Sequence, residues 1–529
     1  MTKETFSLKK EKVFGTGNSQ LDALLKDGGI VIPDDPAGVT MLVKGPAGAG
    51  KSTLALLLAT KCARDGGASI YCSLEQSGFS LNRLAQSLNI KVEGWQWLEE
   101  DDLSIDKGKK KGSLFLTGLS SLRRGGNFED YLSLLIEQSE KFFSTYETTT
   151  TSMIVIDSLN VFGRSIIGRQ ELETLKRTLA AKNRILLFIG EPEEKEKLSW
   201  DRLVDLVIEI GSKPSLGEYF LRAITISKAR FQNHILGSHV VKIKGKDIAS
   251  LPGEKNEATT KTSDSEIGLF IYPSLHYHLS VAIATKKHRE VKQGNHIKSD
   301  AIFLETGFSA LDNALGGGIK RGTMTAISSN LSYVARGIGL TFLAKGIERG
   351  ERSLYLSLQD DPDRIRNLPV DDITKKNTRS NDFIIKSFRP GFISAEEFVD
   401  KIINEILGKN GNVQFQRVLF DDVSQIGLRF PLLENAPVFL PTLMDIFKLY
   451  DMTALFISTT ISSQESQSSP KSDLYDLVNT IIEVQEKKQT TETEATVRIR
   501  KIAEQFYVPQ ELRLTIKHKA KGQISIENL

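Results

Sequence analysis

Val43-Lys44-Gly45-Pro46-Ala47-Gly48-Ala49-Gly50-Lys51-Ser52-Thr53 is the stretch that decides the fold of this chain. The apolar run Val39 to Val43 before it is typical of a buried strand, and Leu54 to Ala59 after it predicts a helix. Between them lies the complete pattern G-x-x-x-x-G-K-[ST], whose glycines let successive backbone N–H groups face a phosphate at a helix N-terminus. The stretch therefore predicts a phosphate-binding loop inside a strand–loop–helix unit.

Two side chains at the end of this loop have the chemistry that a nucleoside triphosphate requires. In this motif the lysine, here Lys51, reaches the β- and γ-phosphates, and the hydroxyl of Ser52 holds Mg²⁺. We therefore expect ATP and Mg²⁺ as ligands. The predicted nucleotide-binding residues are Gly45, Pro46, Ala47, Gly48, Ala49, Gly50, Lys51, Ser52 and Thr53.

Composition is that of an ordinary globular protein, with 40% hydrophobic and 26% charged residues among 529, a length that predicts two large domains or three to four smaller ones. A net charge of +3 gives no support for a nucleic-acid or membrane partner. Cys62 and Cys72 form no disulfide framework, and no signal peptide or membrane-crossing apolar run is visible. Together these features predict a protein of the reducing cytoplasm.

The chain also contains an internal repeat. Gly15-Thr16-Gly17-Asn18-Ser19-Gln20-Leu21-Asp22-Ala23-Leu24-Leu25 recurs as Glu305-Thr306-Gly307-Phe308-Ser309-Ala310-Leu311-Asp312-Asn313-Ala314-Leu315. Further on, Ala68 to Glu75 parallels Arg352 to Gln359, so that Tyr71 corresponds to Tyr355, a shift of 284 residues. The shift holds without a gap back to Leu42 and Ala326. We therefore expect a tandem duplication.

Each copy alternates short β-branched runs with helical stretches, which is typical of a mostly parallel sheet flanked by helices. The strands predicted in the first copy are roughly 39–43, 69–74, 113–117, 153–157, 185–189 and 206–210, followed by antiparallel segments at 221–227 and 238–243. Asp157 ends an apolar strand, where a Mg²⁺-ordering carboxylate belongs, although a turn or helix-capping aspartate reads the same way. The predicted fold class is α/β, with two tandem lobes.

Polar segments suggest the boundaries between these parts. The predicted parts are a flexible lead-in at 1–14, a first lobe at 15–280, a linker at 281–302 and a second lobe at 303–529. Lys107 to Gly112 could contact phosphate or nucleic acid, but we interpret this run as a solvated loop. His276 and His278 alternate at a predicted strand end, and we interpret them as structural rather than metal-binding.

Taken in order, these motifs resemble the KaiC-like branch of the RecA-type ATPases, over about 15–280 and again about 303–520. The resemblance rests on the lead-in Thr-Gly-x-x-x-Leu-Asp-x-Leu-Leu, the phosphate loop, Leu74-Glu75-Gln76-Ser77, Ile156-Asp157-Ser158-Leu159 and Ile226-Ser227-Lys228-Ala229-Arg230. It implies two RecA-like lobes and a homo-oligomeric, hexameric ring.

The resemblance also implies roles for three further residues. Glu75 matches the family's catalytic glutamate, which polarises the attacking water, while Gln76 stands where the family commonly has a second glutamate. Lys228 and Arg230 match a pair that reaches the neighbouring subunit's nucleotide site. From charge and spacing alone, a solvated basic strand end is an equally good interpretation of that pair.

The second copy departs from these motifs at the chemically important positions. Under the gapless shift, Gly48, Gly50, Lys51, Ser52 and Glu75 become Ser332, Val334, Ala335, Arg336 and Gln359. The basic pair becomes Lys501-Ile502-Ala503, and only Asp421 remains as a relic of the Mg²⁺ carboxylate. We therefore interpret the second lobe as a pseudo-ATPase.

These observations predict a slow ATPase in which the first lobe hydrolyses ATP. The second lobe would present a surface to a protein partner that the sequence does not identify, so that the protein acts as a regulatory switch or assembly platform. Two alternatives stay open at this point. One is a DNA-acting recombinase or helicase relative, which the net charge of +3 does not favour. The other is a nucleotide-stabilised scaffold with little turnover, for which Gln76 is the reason.

Overall fold

The computed structural model divides the chain into two compact units, one ending at Ser274 and one beginning at Leu275. It describes residues 11–90, 95–98, 113–118, 128–145, 150–161, 169–191, 200–213, 220–245, 267–293, 302–368, 370, 372–389, 391, 393–408, 412–434, 436, 438–459, 470–487, 493–503, 511–517 and 523–528.

The first unit is an α/β layer around one large sheet. Its elements are β1 Lys12–Phe14, α1 Ser19–Leu24, β2 Ile30–Ile32, β3 Val39–Lys44, α2 Lys51–Arg64, β4 Ala68–Ser73, α3 Gly78–Ser87, β5 Trp95–Leu98, β6 Ser113–Gly118, α4 Phe128–Thr145, β7 Ser152–Asp157, α5 Arg169–Leu179, β8 Arg184–Gly190, β9 Leu206–Lys213, β10 Leu221–Ala229, β11 His239–Lys244 and β12 Gly268–Tyr272. The large sheet has the order β12-β11-β10-β9-β3-β8-β7-β4-β6-β5. Strands β3 to β9 run parallel, whereas β10, β11 and β12 are antiparallel to their neighbours.

The centre of this sheet is buried on both faces. Strands β7 and β8 bury all their residues except Arg184, and β3 buries all but Lys44. Such continuous apolar runs are what a parallel sheet covered by helices requires. The carboxyl ends of these strands therefore meet on a rigid edge of the sheet, the edge that ends in Lys44, Asp157 and Gly190.

The predicted α/β fold class with two tandem lobes is confirmed, and the predicted strands agree with the observed ones to within a few residues. Helix α2 begins at Lys51, three residues before the apolar run that predicted it, because Gly50 ends the loop in the left-handed conformation. Strands β5 and β12 at the two edges of the sheet were not predicted. Both are short, with four and five residues, and so short an apolar run does not by itself distinguish a strand from other structure.

The second unit repeats this topology. Its elements are α6 Leu275–Gln293, β13 Phe303–Leu304, α7 Ser309–Ala314, β14 Ile319–Lys320, β15 Met324–Ser329, α8 Ser332–Glu348, β16 Ser353–Ser357, α9 Pro362–Arg366, α10 Asp372–Asn377, β17 Phe383–Ser387, α11 Ala395–Ile406, β18 Arg417–Asp421, α12 Gln425–Arg429, α13 Pro431–Glu434, α14 Phe439–Leu449, β19 Thr453–Thr459, α15 Pro470–Leu477, β20 Thr480–Lys487, β21 Thr493–Ile502, β22 Glu511–Lys517 and β23 Gln523–Asn528. The sheet order β17-β16-β18-β19-β15-β20-β21-β22-β23 matches β6-β4-β7-β8-β3-β9-β10-β11-β12 strand for strand. The duplication seen in the sequence is therefore a duplication of the fold.

The predicted linker at 281–302 needs correction. Helix α6 covers Leu275–Gln293, so the predicted boundary at 280 falls inside a helix that belongs to the second unit. Its basic run suggested a solvated connection, but Leu275, Leu279 and Ala282 pack into the core formed with α11 and α14. Only residues 294–301 of the predicted linker lie outside the described part of the chain.

Two smaller predictions are also corrected. His276 and His278 lie on α6 rather than at a strand end, and their spacing of two places His276 on the exposed side and His278 on the buried side. The predicted lead-in at 1–14 ends in β1, which pairs with β2.

The run Lys107 to Gly112 lies outside the described residues. None of the described helices combines the length and the apolar character needed to cross a membrane.

Candidate nucleotide-binding site

The predicted phosphate loop occupies residues 45–50, between the end of β3 and the start of α2. Its backbone shape depends on glycine at two positions. Gly50 has a φ of 107° and directly precedes the helix. A Cβ atom on Gly45 would lie 1.9 Å from the carbonyl oxygen of Ile210. The sequence therefore folds here into a loop that only glycines allow, with the unpaired N–H groups of the first turn of α2 at its end.

Lys51 is the first residue of α2, and its side chain is only 8% exposed. Its ammonium donates to the carbonyl oxygens of Gly45 and Pro46, each at 2.9 Å, and to the carboxylate of Glu191 at 3.0 Å. The loop thus wraps around the ammonium that the motif assigns to phosphate. This cradle fits a triphosphate, because it combines backbone donors, a helix N-terminus and an enclosed cation.

Asp157 stands at the end of β7 and is buried. Burial raises the pKa of its carboxyl, while hydrogen bonds from the hydroxyls of Tyr71 and Ser52 oppose that rise. The Tyr71 hydroxyl lies 2.6 Å from one carboxylate oxygen. Ser52 and Asp157 thus lie within hydrogen-bonding distance of each other. Tyr71 was not singled out from the sequence, although it lies on the central strand β4 next to β7.

Glu75 follows β4, the strand that pairs with β7, and therefore lies at the same edge of the sheet as Asp157. The hydroxyl of Ser158 donates a hydrogen bond to its carboxylate. Ser158 belongs to the motif at the end of β7, but no role was predicted for its hydroxyl. Its place in the sequence could have indicated a role at the site, since it directly follows Asp157 at the end of a buried strand.

Glu191 is a further residue that the sequence analysis missed. It directly follows β8, which pairs with β3, so the strand order brings its carboxylate to Lys51. An acidic residue immediately after an apolar strand was the available signal. Its main chain is held by Asn160, whose amide oxygen accepts from the Glu191 N–H at 2.7 Å.

Lys228 and Arg230 lie at the opposite end of the strands from the phosphate loop, where the parallel strands β3 and β9 begin. The Arg230 guanidinium contacts Asp205 at 2.8 Å, and Asp205 also accepts hydrogen bonds from Thr40 at the start of β3. The Lys228 ammonium donates to the carbonyl oxygens of Asp201 and Val204. Since Gly45 follows Thr40 by five positions along the strand, roughly 16 Å of strand lies between Arg230 and the phosphate loop of the same lobe.

A family model described as "ATPase: KaiC" matches residues 14–255 and again residues 304–527. The chain belongs to the KaiC ATPase family. The two matches fall on the two lobes that the structure shows, so both copies carry the family's fold. A comparison with curated proteins found no match to the chain.

The site of the first lobe fits the ligands that a KaiC ATPase implies. Among the residues that the structure describes, no group of three or more His, Cys, Asp or Glu side chains is placed to hold a metal. Mg²⁺ is usually bound through one or two carboxylates together with water and substrate phosphates, and the Asp157 carboxylate beside the Ser52 hydroxyl fits such a site. Ser52 and Asp157 would hold the ion next to the phosphate loop.

The corresponding site of the second KaiC-like lobe has a different construction. Helix α8 begins at Ser332, so only residues 330 and 331 remain between it and β15, where the first lobe has a six-residue loop. Residues that would form the phosphate-binding loop are therefore part of helix α8 in the second lobe. The loss of glycines and lysine there is visible in the sequence, whereas the conversion of the loop into helical structure is not.

Arg336, which replaces Ser52, fills the second site with its own charge. Its guanidinium lies 3.0 Å from the carboxylate of Asp421, 2.8 Å from that of Asp360 and 3.0 Å from the amide oxygen of Gln359. Tyr355 donates to Asp421 at 2.6 Å, as Tyr71 does to Asp157. Burial raises the Asp421 pKa to about 6, and Arg336 opposes this rise. In the second lobe the Arg336 guanidinium thus balances the charge of Asp421. In the first lobe the equivalent carboxylate, Asp157, faces the uncharged Ser52.

Proposed function

We propose that this protein is an ATPase that binds and hydrolyses ATP in its N-terminal lobe. The observation that carries the proposal is the convergence of the loop at 45–50, Lys51, Ser52, Asp157 and Glu75 at one edge of the first sheet. These groups supply the phosphate cradle, the cation, the Mg²⁺ ligands and the base that phosphoryl transfer to water uses.

Each residue of this set has one part in the reaction. The backbone N–H groups of the loop and the Lys51 ammonium bind and orient the phosphates and balance the charge that develops on them. Ser52 and Asp157 hold Mg²⁺, which when bound neutralises phosphate charge. Glu75 polarises the attacking water, and the Ser158 hydroxyl fixes the direction of its carboxylate.

The position of Arg230 supports action on a neighbouring subunit rather than on its own lobe. Its guanidinium lies at the end of the strands opposite to the phosphate loop, and its partner Asp205 is fixed to the start of β3. A second copy of the chain could place this end of the sheet against the loop of its neighbour, as in a closed ring. We therefore propose a homo-oligomeric, sixfold ring in which Lys228 and Arg230 act in trans.

The second lobe is proposed to bind no nucleotide and to serve assembly or a protein partner. The helix that replaces its loop and the ion pairs of Arg336 support this division of labour. ATP turnover in the first lobe would then change the state of a ring whose second lobe presents a constant surface. This arrangement suits a regulatory switch.

Replacing Glu75 with Gln tests the catalytic part of the proposal. The amide keeps the shape but cannot take up a proton, so we expect Mg·ATP binding to change by less than about twofold and hydrolysis to fall about 10²–10⁴-fold. Phosphate release and equilibrium binding of ATP are the measurements. Glu173→Gln, in an exposed ion pair on α5, is the control and should hydrolyse ATP normally. Near-normal turnover by Glu75→Gln would show that Glu75 is not the residue that polarises the attacking water. A wild-type chain that binds ATP but hydrolyses it as slowly as the variant would favour the nucleotide-stabilised scaffold.

A further inference from the structure

The carboxylate of Glu191 is the group of the first site to which none of the roles above applies. It lies 3.0 Å from the Lys51 ammonium, whose other two hydrogen bonds go to the carbonyl oxygens of Gly45 and Pro46. An ammonium has three N–H donors, and these three acceptors use all of them. Lys51 can therefore reach a phosphate only by giving up a partner that it already has.

Glu191 is the partner that can yield. The Glu191 side chain is 41% exposed, whereas that of Lys51 is 8% exposed, so the carboxylate is open to solvent at the mouth of an enclosed cation. Its main chain is fixed by both polar atoms of the Asn160 side chain, at 2.7 Å and 3.4 Å. Asn160 in turn follows closely after Asp157, so the position of Glu191 is tied to the strand that carries the proposed Mg²⁺ ligand.

The second lobe provides an internal comparison. In the first sheet Lys44 pairs with Gly190. In the second sheet Ser328, which is equivalent to Lys44, pairs with Ser458. The next residue, Thr459, therefore corresponds to Glu191. Thr459 instead hydrogen-bonds to Ser424 and Asp422 within its own loops. Lysine and carboxylate are thus absent together from the lobe that has lost the phosphate loop. Because the second lobe has threonine at this position, the fold itself does not require a carboxylate there. We infer that Glu191 is present because of its contact with Lys51.

We propose that Glu191 is a positioning residue that holds the Lys51 ammonium beside the phosphate loop and competes with the terminal phosphates of the nucleotide for it. The proposal rests on the proposed function of the first lobe. Binding exchanges one anionic partner of Lys51 for another, and the displaced carboxylate stays beside the phosphates as a like charge. The repulsion therefore weakens the binding of ATP more than the binding of ADP. As the nucleotide leaves, Glu191 recaptures the ammonium and favours release.

The test compares nucleotide affinities rather than turnover. Isothermal titration of the full chain with Mg²⁺ and either ADP or a non-hydrolysable ATP analogue gives Kd for the wild type, Glu191→Gln and Glu191→Thr. The threonine variant carries the residue that the second lobe uses, and so guards against a fault peculiar to glutamine. We expect a Kd for the ATP analogue about 3–10-fold lower in both variants, and a smaller change for ADP.

Glu209→Gln is the matched control. Glu209 is a half-exposed carboxylate on the neighbouring strand β9 that contacts Lys44 rather than Lys51, so its Kd should stay within about twofold of the wild type. Unchanged or weaker binding of the analogue by both Glu191 variants would overturn the proposal. Equal tightening by Glu209→Gln would also overturn it, because the effect would then be one of general charge. A wild-type chain that binds no nucleotide would contradict the proposed function itself.

Discussion

Replacing Arg230 with Ala is expected to lower ATP hydrolysis by about 10³–10⁵-fold, the range found when an arginine that stabilises the transferring phosphoryl group is removed. Binding of ATP should persist, because the substitution leaves the phosphate loop and Lys51 intact. Arg222→Ala, an exposed arginine near the start of the same strand β10, is the control and should retain activity. Steady-state phosphate release measures both variants.

Mixing two inactive variants distinguishes action in trans from action within one chain. Lys51→Ala lacks a working loop and Arg230→Ala lacks the guanidinium, so each is expected to be inactive alone. After subunit exchange, an interface works when an arginine variant supplies the loop and a lysine variant supplies the guanidinium. With random equal mixing this occurs at about a quarter of interfaces in a closed ring, so we expect about a quarter of wild-type activity. No recovery despite demonstrated exchange would contradict the proposed role of Arg230.

Replacing Arg336 with Ala is expected to destabilise the second lobe by about 3–5 kcal/mol, the usual cost of leaving a buried charge without its partner. The Arg336 side chain is 10% exposed, and that of Asp421 is fully buried. Hydrogen exchange of peptides from β15 and α8 measures the loss in this lobe alone. Arg364→Ala is the control, because this arginine contacts Asp360 from an exposed position and should change protection little.

The same variant should show a pH dependence with a definite sign. The Asp421 pKa is already raised to about 6 by burial, and removing the opposing Arg336 raises it further. The folded lobe then holds this proton more tightly than the unfolded chain, whose aspartates have a pKa of about 3.9. Stability therefore falls as pH rises through the folded pKa, and lowering the pH from about 7 to 5 should restore part of the loss. Adding Asp421→Asn should remove both the loss and its pH dependence; a double variant as unstable as Arg336→Ala would contradict this explanation.

The parts of the first site that follow from local pattern were predictable from the sequence. The loop at 45–50 is encoded in consecutive residues, and Asp157 and Glu75 each follow an apolar strand. Because the carboxyl ends of parallel strands share one edge, such residues are expected to meet. Their proximity in the structure agrees with that expectation, while their roles stay proposals.

Contacts that depend on strand order and side-chain reach were not predictable. The pairing of Glu191 with Lys51 requires that β8 lie beside β3, although the two strands are separated by more than a hundred residues. For Arg336, the sequence showed a lost serine but not a guanidinium that reaches Asp421. The helix that covers residues 281–293 of the predicted linker was not predictable, because its charged residues hide the apolar positions of α6 that pack into the core.

The number of nucleotides bound per chain tests the central claim most directly. Equilibrium titration of the full chain with a non-hydrolysable ATP analogue and Mg²⁺ should saturate at one molecule per chain. Lys51→Ala should bind none, because the only intact phosphate loop among the described residues is the one at 45–50. Saturation at two per chain, or at one per chain in Lys51→Ala, would contradict the assignment of ATP binding to the first lobe alone.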